Sequence, residues 1–391
     1  MAPTSSDFTL HRQMEEWKQS AQHMYERLDV ISLEWPTLTA QWMPNDKEGN
    51  SALVATYSAG KESEFIREVC VDTDKFMPEK HLIEEYFVEK PEIMAAKAYR
   101  DIIVGFRANG DILVYKQGEK QPRKLLQGYI SNDNDETKTL ESKREQKGGY
   151  GLCFNPIETE DIQFVTGSES GSLILWSVDS DLKQHQICKS IDFQQTVNDV
   201  SWTYPDRIIV SFESGEVAIL DRNLKLLKKV KFEDEVMSAS LNPFAEDILL
   251  VASNGIKVVD IKLRTGSENG ETSPEFSEFH LLYENPTTTE LVKWSPTRDG
   301  IFATAGESVM YIWSLEKVGD EQSYEDSLDG PPELLFKHLG HVDGFSISAF
   351  DWHPKIDMLL LSADGKNSLI SWQPNKESLN ELKAPQMPKN M

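Results

Sequence analysis

Apolar residues between Thr37 and Trp372 fall into short runs separated by turn residues, and the runs recur in triplets. The first run of a triplet ends in an aromatic or aliphatic residue shortly before a proline: LCFNP (152–156), VSWTYP (200–205), ASLNP (239–243), VKWSP (292–296) and FDWHP (350–354). A second run follows: IQFVTGS (162–168), RIIVSFE (207–213), DILLVAS (247–253), GIFATAG (300–306) and MLLLSAD (358–364). A third closes on a bulky residue: LILWSVD (173–179), VAILD (217–221), KVVDI (257–261), YIWSL (311–315) and LISWQ (369–373). Runs of this length, rich in β-branched and aromatic residues and bounded by Gly, Asn, Asp or Ser, predict strands. Two degenerate units precede these five, one over 37–73 with ALVATYS (52–58) and FIREVCVD (65–72), one over 93–116 with IIVGF (102–106) and DILVY (111–115).

Seven such units imply a ring. The entry prolines Pro156, Pro205, Pro243, Pro296 and Pro354 recur at intervals near the roughly 40–45 residues of a WD-type propeller blade, most of them lengthened as loop insertions would produce. A single four-stranded blade cannot bury both its faces, so the blades must pack on one another and close. The predicted fold is all-β, a seven-bladed WD40 β-propeller over 35–375, with LTAQWMP (38–44) expected to supply the outer strand of the last blade. Only Trp176, Trp313 and Trp372 keep tryptophan at the blade-closing position, and none is followed by Asp. The charged stretches 131–147 and 264–278 read as mobile loops, and 376–391 as a flexible tail.

Ahead of the strands the period changes. Leu10, Met14, Trp17, Ala21, Met24, Leu28 and Ile31 recur three or four residues apart, which predicts one amphipathic α-helix over 8–31. Ser6 or Asp7 can cap it, and it must end before Pro36, which disfavours helical backbone at Trp35. The segment 1–34 is thus expected to be a helix laid on the side of the propeller.

Charge narrows the function. The chain holds 40 basic and 65 acidic residues, a net charge of −25. That argues against direct nucleic-acid binding, which needs a basic face, and for a basic protein partner steered by the field. Three scattered cysteines (Cys70, Cys153, Cys188) give neither a metal-ligand spacing nor an even disulfide set, and point to a reducing compartment. There is no apolar run long enough for a membrane helix, and MAPTSSDFTL lacks a secretory pattern. Chemistry is equally sparse. GSESG (167–171) has Glu169 where a nucleophile elbow needs serine, and Gly365-Lys366 lacks the upstream glycine of a phosphate loop. His341, after Gly340, is expected to bond within its blade. No catalytic residue, cofactor or metal is predicted.

One stretch stands out. Between the strands ending at Val318 and Trp352 lies GDEQSYEDSLDGPPELLFKHLGH (319–341), too long for a tight turn. Asp320, Glu321, Glu325, Asp326 and Asp329 precede Pro331-Pro332 and then Leu334-Leu335-Phe336. An acidic lip beside a stiff, apolar shelf suits a basic amphipathic helix. A solvated loop is the plainer alternative. The stretch 319–336, together with LEWPTLTAQWMP (33–44) and GYGLCFNP (149–156), closely resembles the retinoblastoma-associated histone-binding WD-repeat proteins. These are the chaperone subunits shared by chromatin assembly factor 1, type B histone acetyltransferase, deacetylase, remodelling and Polycomb complexes. More weakly, the resemblance runs from about Trp17 to Trp372.

The resemblance implies a non-catalytic, nuclear adaptor with some cytoplasmic pool. Such an adaptor is monomeric by itself and binds histones H3 and H4, or a centromeric H3 variant with its chaperone. It implies a groove for the first helix of histone H4, formed by Trp17, Met24, Tyr25 and Leu28 on one side and Glu325, Asp326, Asp329, Pro331, Pro332, Leu334 and Phe336 on the other. His23, Leu328 and Lys337 replace, respectively, an aromatic, an acidic and an apolar residue usual in the family. A second implied surface is the narrow top of the propeller, where Asn198, Glu235 and Glu290 match positions that take a basic peptide such as the H3 tail. There Asn198 replaces a carboxylate, Glu290 an aromatic residue and Thr288 a glutamate. Two other readings stay open. One is a chaperone for a basic ribosomal protein. The other is a cullin-ligase substrate receptor, although Lys262 and Arg222 fit poorly the blade-end Asp-x-Arg that such receptors carry.

Overall fold

Each repeat folds as a four-stranded antiparallel sheet, and there are seven sheets among the described residues. The computed structural model describes residues 21, 23–72, 81–88, 91–127, 147–203, 206–261, 289–341, 344–376 and 379, with 277–280 as backbone only. Blades 1 to 6 span residues 37–88, 93–127, 151–192, 197–231, 238–280 and 289–338. Blade 7 combines 347–374 with a strand from the other end of the chain, Tyr25–Ser32. The seven innermost strands contact their neighbours around the ring, and Thr37–Trp42 of blade 1 meets Ile347–Trp352 of blade 7.

The core is not one body but seven radial interfaces. Between blades 2 and 3, for example, Phe106 and Ile112 meet Phe164 and Trp176; between blades 6 and 7, Ile312 and Phe336 meet Phe350 and Trp372. Blade strands therefore bury both faces, which is why many read as unbroken apolar runs such as SLILWSV over 172–178, all seven residues buried. The blade-closing tryptophans are tied inward as well. Trp176 Nε1 donates to Thr166 Oγ1 at 2.9 Å, and Trp313 Nε1 to Thr304 Oγ1 at 3.0 Å. In blade 7 the tie grows into a chain. Trp372 Nε1 donates to Ser362 Oγ (3.1 Å), which lies 2.7 Å from His341 Nε2, while His341 Nδ1 lies 2.9 Å from Asp364. His341 is thus a buried bonding residue within its blade, as expected. Burial alone would raise the Asp364 carboxyl; the bonds from His341 and from the backbone N–H groups of Ser368 and Lys366 outweigh it and hold the group below its ordinary range.

Two expectations are corrected at the N-terminus. Only Ala21, His23 and Met24 of the predicted helix have helical backbone among the described residues; Leu10, Met14 and Trp17 lie outside them. From Tyr25 the chain is strand, and Leu28 and Ile31 belong to it. Leu28 and Ile31, three residues apart, lie on opposite faces of that strand, and both are covered because Leu28 packs at the interface of blades 6 and 7 and Ile31 at that of blades 7 and 1. The second correction concerns closure. The strand that completes blade 7 is Tyr25–Ser32, paired with Ser368–Pro374 through Leu28↔Trp372 and Ile31↔Leu369. LTAQWMP is instead the innermost strand of blade 1, with Gln41↔Leu53 and Trp42↔Ala52.

His338 adds a pH-sensitive element to this closure. Its ring is fully buried, stacks on Trp372 at 4.2 Å and 2°, and has Nδ1 2.8 Å from the Tyr25 hydroxyl. Burial first, and neighbouring His341 second, push the imidazole well below its usual value. Burial likewise lowers His353. Below about pH 6.5 the unfolded chain takes up protons that the folded one refuses. Stability should therefore fall on acidification, by up to about 1.4 kcal/mol per pH unit from His338, with His353 adding in the same direction. Denaturant melts at about pH 7.5, 6 and 5 would read this; a flat profile would contradict neutral burial.

Candidate functional site

The acidic stretch connects the third and fourth strands of blade 6, Met310–Ser314 and Leu334–His338. Its shape is fixed by local bonds. Ser323 Oγ accepts the Asp326 N–H at 3.1 Å and donates back to Asp326 Oδ2 at 2.7 Å, opening a short 3-10 turn over Asp326–Leu328. Gln322 Nε2 reaches across to the Gly330 carbonyl at 2.9 Å. Gly330 has φ +143, and a Cβ there would stand 2.6 Å from Leu334 Cδ2, so the turn into Pro331-Pro332 requires glycine. The Leu334 N–H then bonds the Pro331 carbonyl at 2.9 Å and the chain re-enters the sheet.

These bonds shape an open hollow of ≈ 640 Å³ lined by Asp320, Glu321, Asp326, Asp329, Pro331 and Leu334 among others, with Lys317 the basic residue on its wall. Asp326, Asp329, Pro331, Pro332 and Leu334 of the predicted groove thus line one concavity, and Glu325 lies within the same loop. Sequence reasoning missed the role of two side chains. Tyr324 is 80% and Leu328 71% exposed, four residues apart on the acidic lip. The signal was their spacing within an otherwise charged run; an apolar pair so exposed is a usual mark of a contact surface.

Phe336 stands lower than expected. It is buried within the interface between blades 6 and 7, stacked on Trp372 at 5.9 Å. Tyr25 meets it edge to face at 5.2 Å and 85°, and Met24 and Leu28 pack on the same cluster. The N-terminal and loop halves of the predicted groove therefore do touch, through their floor; Trp17 lies outside the described residues. Lys337 points the other way. Its ammonium lies 5.9 Å from the Tyr311 ring centre, and burial lowers its pKa against the opposing pull of Asp329.

On the opposite end, Asn198 Nδ2 donates to Glu235 Oε1 at 2.8 Å and to the Val236 carbonyl at 3.0 Å. Asn198 and Glu235 are thereby joined across blades 4 and 5. Glu290 of blade 6 faces Glu307 instead, and burial first, then that neighbour, raises its carboxyl. Thr288 lies outside the described residues. Among those residues no cluster of three or more His, Cys, Asp or Glu side chains could hold a metal, and no helix is long and apolar enough to cross a membrane.

The sequence model of a family of histone-binding proteins, that of RBBP4 and the corresponding component of the CAF1 complex, matches residues 12–71. That span contains the closing strand of blade 7 and most of blade 1, but not the acidic loop. Three curated proteins, each called "Histone acetyltransferase type B subunit 2", resemble the chain over most of its length. The Candida glabrata protein is 24% identical over 95% of this chain and 90% of its own. Those of Debaryomyces hansenii and Eremothecium gossypii are also 24% identical, over 96% and 95% of this chain and 94% and 87% of theirs.

Proposed function

We propose, from the chain's similarity as a divergent relative to the retinoblastoma-associated histone-binding WD-repeat proteins, that it is a non-catalytic histone H3–H4-binding subunit of nuclear chromatin-assembly or histone-modifying complexes. The observation that carries this reading is the acidic hollow of blade 6, whose wall also holds the apolar Pro331, Pro332 and Leu334. A basic amphipathic helix satisfies both parts at once, laying its apolar stripe on Leu334 and its basic side toward Asp326 and Asp329. The first helix of histone H4 is the proposed occupant. The propeller top, with Glu235 and Glu290, is proposed to take a basic tail, since carboxylates pair well with guanidinium.

Binding of an H3–H4 preparation to the purified chain should weaken steeply as salt is raised from about 0.1 to 0.5 M, because steering and exposed pairs are screened. An affinity that barely moves would mean an essentially apolar contact. Lys337→Ile should tighten binding of the H4 helix several-fold, by removing a half-buried cation beside a basic ligand and adding apolar area. Weaker binding by this variant would instead point to a client helix carrying a carboxylate opposite Lys337.

A further inference from the structure

The outer strands of blades 3 and 4 are His185–Asp192 and Leu226–Lys231. Paired residues of neighbouring strands share a face, so the registers show which side chains border the seam between these blades. Lys189 lies opposite Leu175; Leu226 lies opposite Leu220, Lys229 opposite Ala218 and Lys231 opposite Glu216. Leu175, Ala218 and Leu220 belong to the core between blades 3 and 4, and Lys189, Leu226, Lys229 and Lys231 prolong that interface to the surface. Ile191 and Phe193 pack on the same core, half-buried. Lys228 and Val230 face blade 5 instead, opposite Ile219 and Val217. Contacts cross the seam. Lys229 Nζ lies 5.8 Å from the centre of the Phe193 ring, and Glu216 Oε2 accepts from Lys229 Nζ at 3.1 Å and from Gln195 Nε2 at 3.0 Å.

This strip runs against the charge of the chain. Residues 222–231 hold five basic side chains and no acid, in a protein of net charge −25. On the seam Glu216 is already shared by Lys229 and Gln195. Lys231 donates to the Ser214 carbonyl, and Lys189 bonds no carboxylate among the described residues. Asp161 borders the His185 end, 3.4 Å from Ser177 Oγ. Lysines on an edge strand commonly guard it against pairing with another copy. Leu226 and Leu227 do the reverse. They are 46% and 41% exposed on a strand that ends its sheet, where the outer backbone groups have no strand partner. An edge that sets apolar side chains and lysines together suits an added strand of opposite charge.

We propose that the seam between blades 3 and 4 docks an extended acidic segment of a partner protein, added as a further strand on the edge of Leu226–Lys231. The segment's residues opposite Lys229 and Lys231 are carboxylates two positions apart, and the one opposite Leu226 is apolar. Lys189 supplies a third cation from blade 3. In a ring of seven blades this seam lies across from blade 7, so docking there leaves the hollow of blade 6 open and does not depend on what binds in it.

The probe is a fluorescent peptide of about ten residues, alternating Glu and Val, titrated into the full chain and read by anisotropy. The signal should rise saturably. Affinity should fall by about tenfold or more in Lys229→Glu with Lys231→Glu, while the melting temperature and the affinity for the H4 helix peptide stay as in the parent. The same charge change away from the seam, Lys61→Glu with Lys355→Glu, should leave the affinity within about twofold. Replacing each Glu of the peptide by Gln should abolish binding. So should N-methylation of alternate peptide amides, since an added strand must bond the edge. No saturable binding, equal affinity in the Lys229/Lys231 variant, full binding by the N-methylated peptide, or tighter binding of a short DNA duplex would each overturn the proposal.

Discussion

A chain beginning at Leu33 should not form a closed, cooperatively melting propeller. It lacks the strand that completes blade 7, and the loss is large on every count. Ile31 is removed from the interface of blades 7 and 1, and Met24, Tyr25 and Leu28 from that of blades 6 and 7. Burial of such side chains is worth about 1.5–3 kcal/mol each, so together they rival a total stability of about 5–15 kcal/mol. The deletion also bares the edge of Ser368–Pro374, a template for aggregation. Deleting only residues 1–20 leaves that strand in place and should keep the cooperative transition. Supplying a peptide of residues 21–34 to the longer deletion should restore it. Thermal and urea melts decide the matter, and a soluble 33–391 chain within about 1 kcal/mol of the full one would contradict the closure described above.

Phe336→Ala should lower stability by about 3–5 kcal/mol, before any effect on binding is considered. The ring is 4% exposed, opposite Ile312, between Tyr25 and Trp372. Truncation leaves a cavity in a radial interface that cannot collapse without moving a blade. Leu328→Ala, on the exposed lip, should stay within about 0.5 kcal/mol of the parent. Urea unfolding of the pair separates core from surface. A Phe336→Ala loss below about 1 kcal/mol would mean that the position behaves as part of an open groove.

The blades were legible because repetition is a long-range signal. Five strand endings with an aromatic or aliphatic residue shortly before a proline mark five inner strands, and the two degenerate units fell into place beside them. Closure was not legible for a physical reason. Met24, Leu28 and Ile31 fit one face of a helix, but a blade strand is covered on both sides, so Leu28 and Ile31 are equally well buried on opposite faces of a strand; only the β-branched Val30-Ile31 argued for the latter. Trp42-Met43-Pro44, by contrast, repeats the inner-strand ending and was a readable sign that LTAQWMP opens blade 1. At the acidic loop, composition revealed the charge and the stiff Pro-Pro turn. It could not reveal which apolar residue faces out, because a bulge between Ile312 and Trp313 shifts the strand's alternation just there, turning Phe336 inward. The Asn198–Glu235 bond joins residues of different blades and leaves no local trace in the chain.

The most direct test of the account is the affinity of a labelled peptide of the first H4 helix for Asp326→Lys with Asp329→Lys, measured by fluorescence anisotropy alongside the melting temperature. Both carboxylates lie on the hollow, and Asp326 bonds only within its own loop, so the double variant should melt as the parent does. The account predicts binding weakened by at least about tenfold, or about 1.4 kcal/mol, with a flatter salt dependence. Unchanged affinity at an unchanged melting temperature would contradict it, and would move the histone-binding site to the top of the propeller.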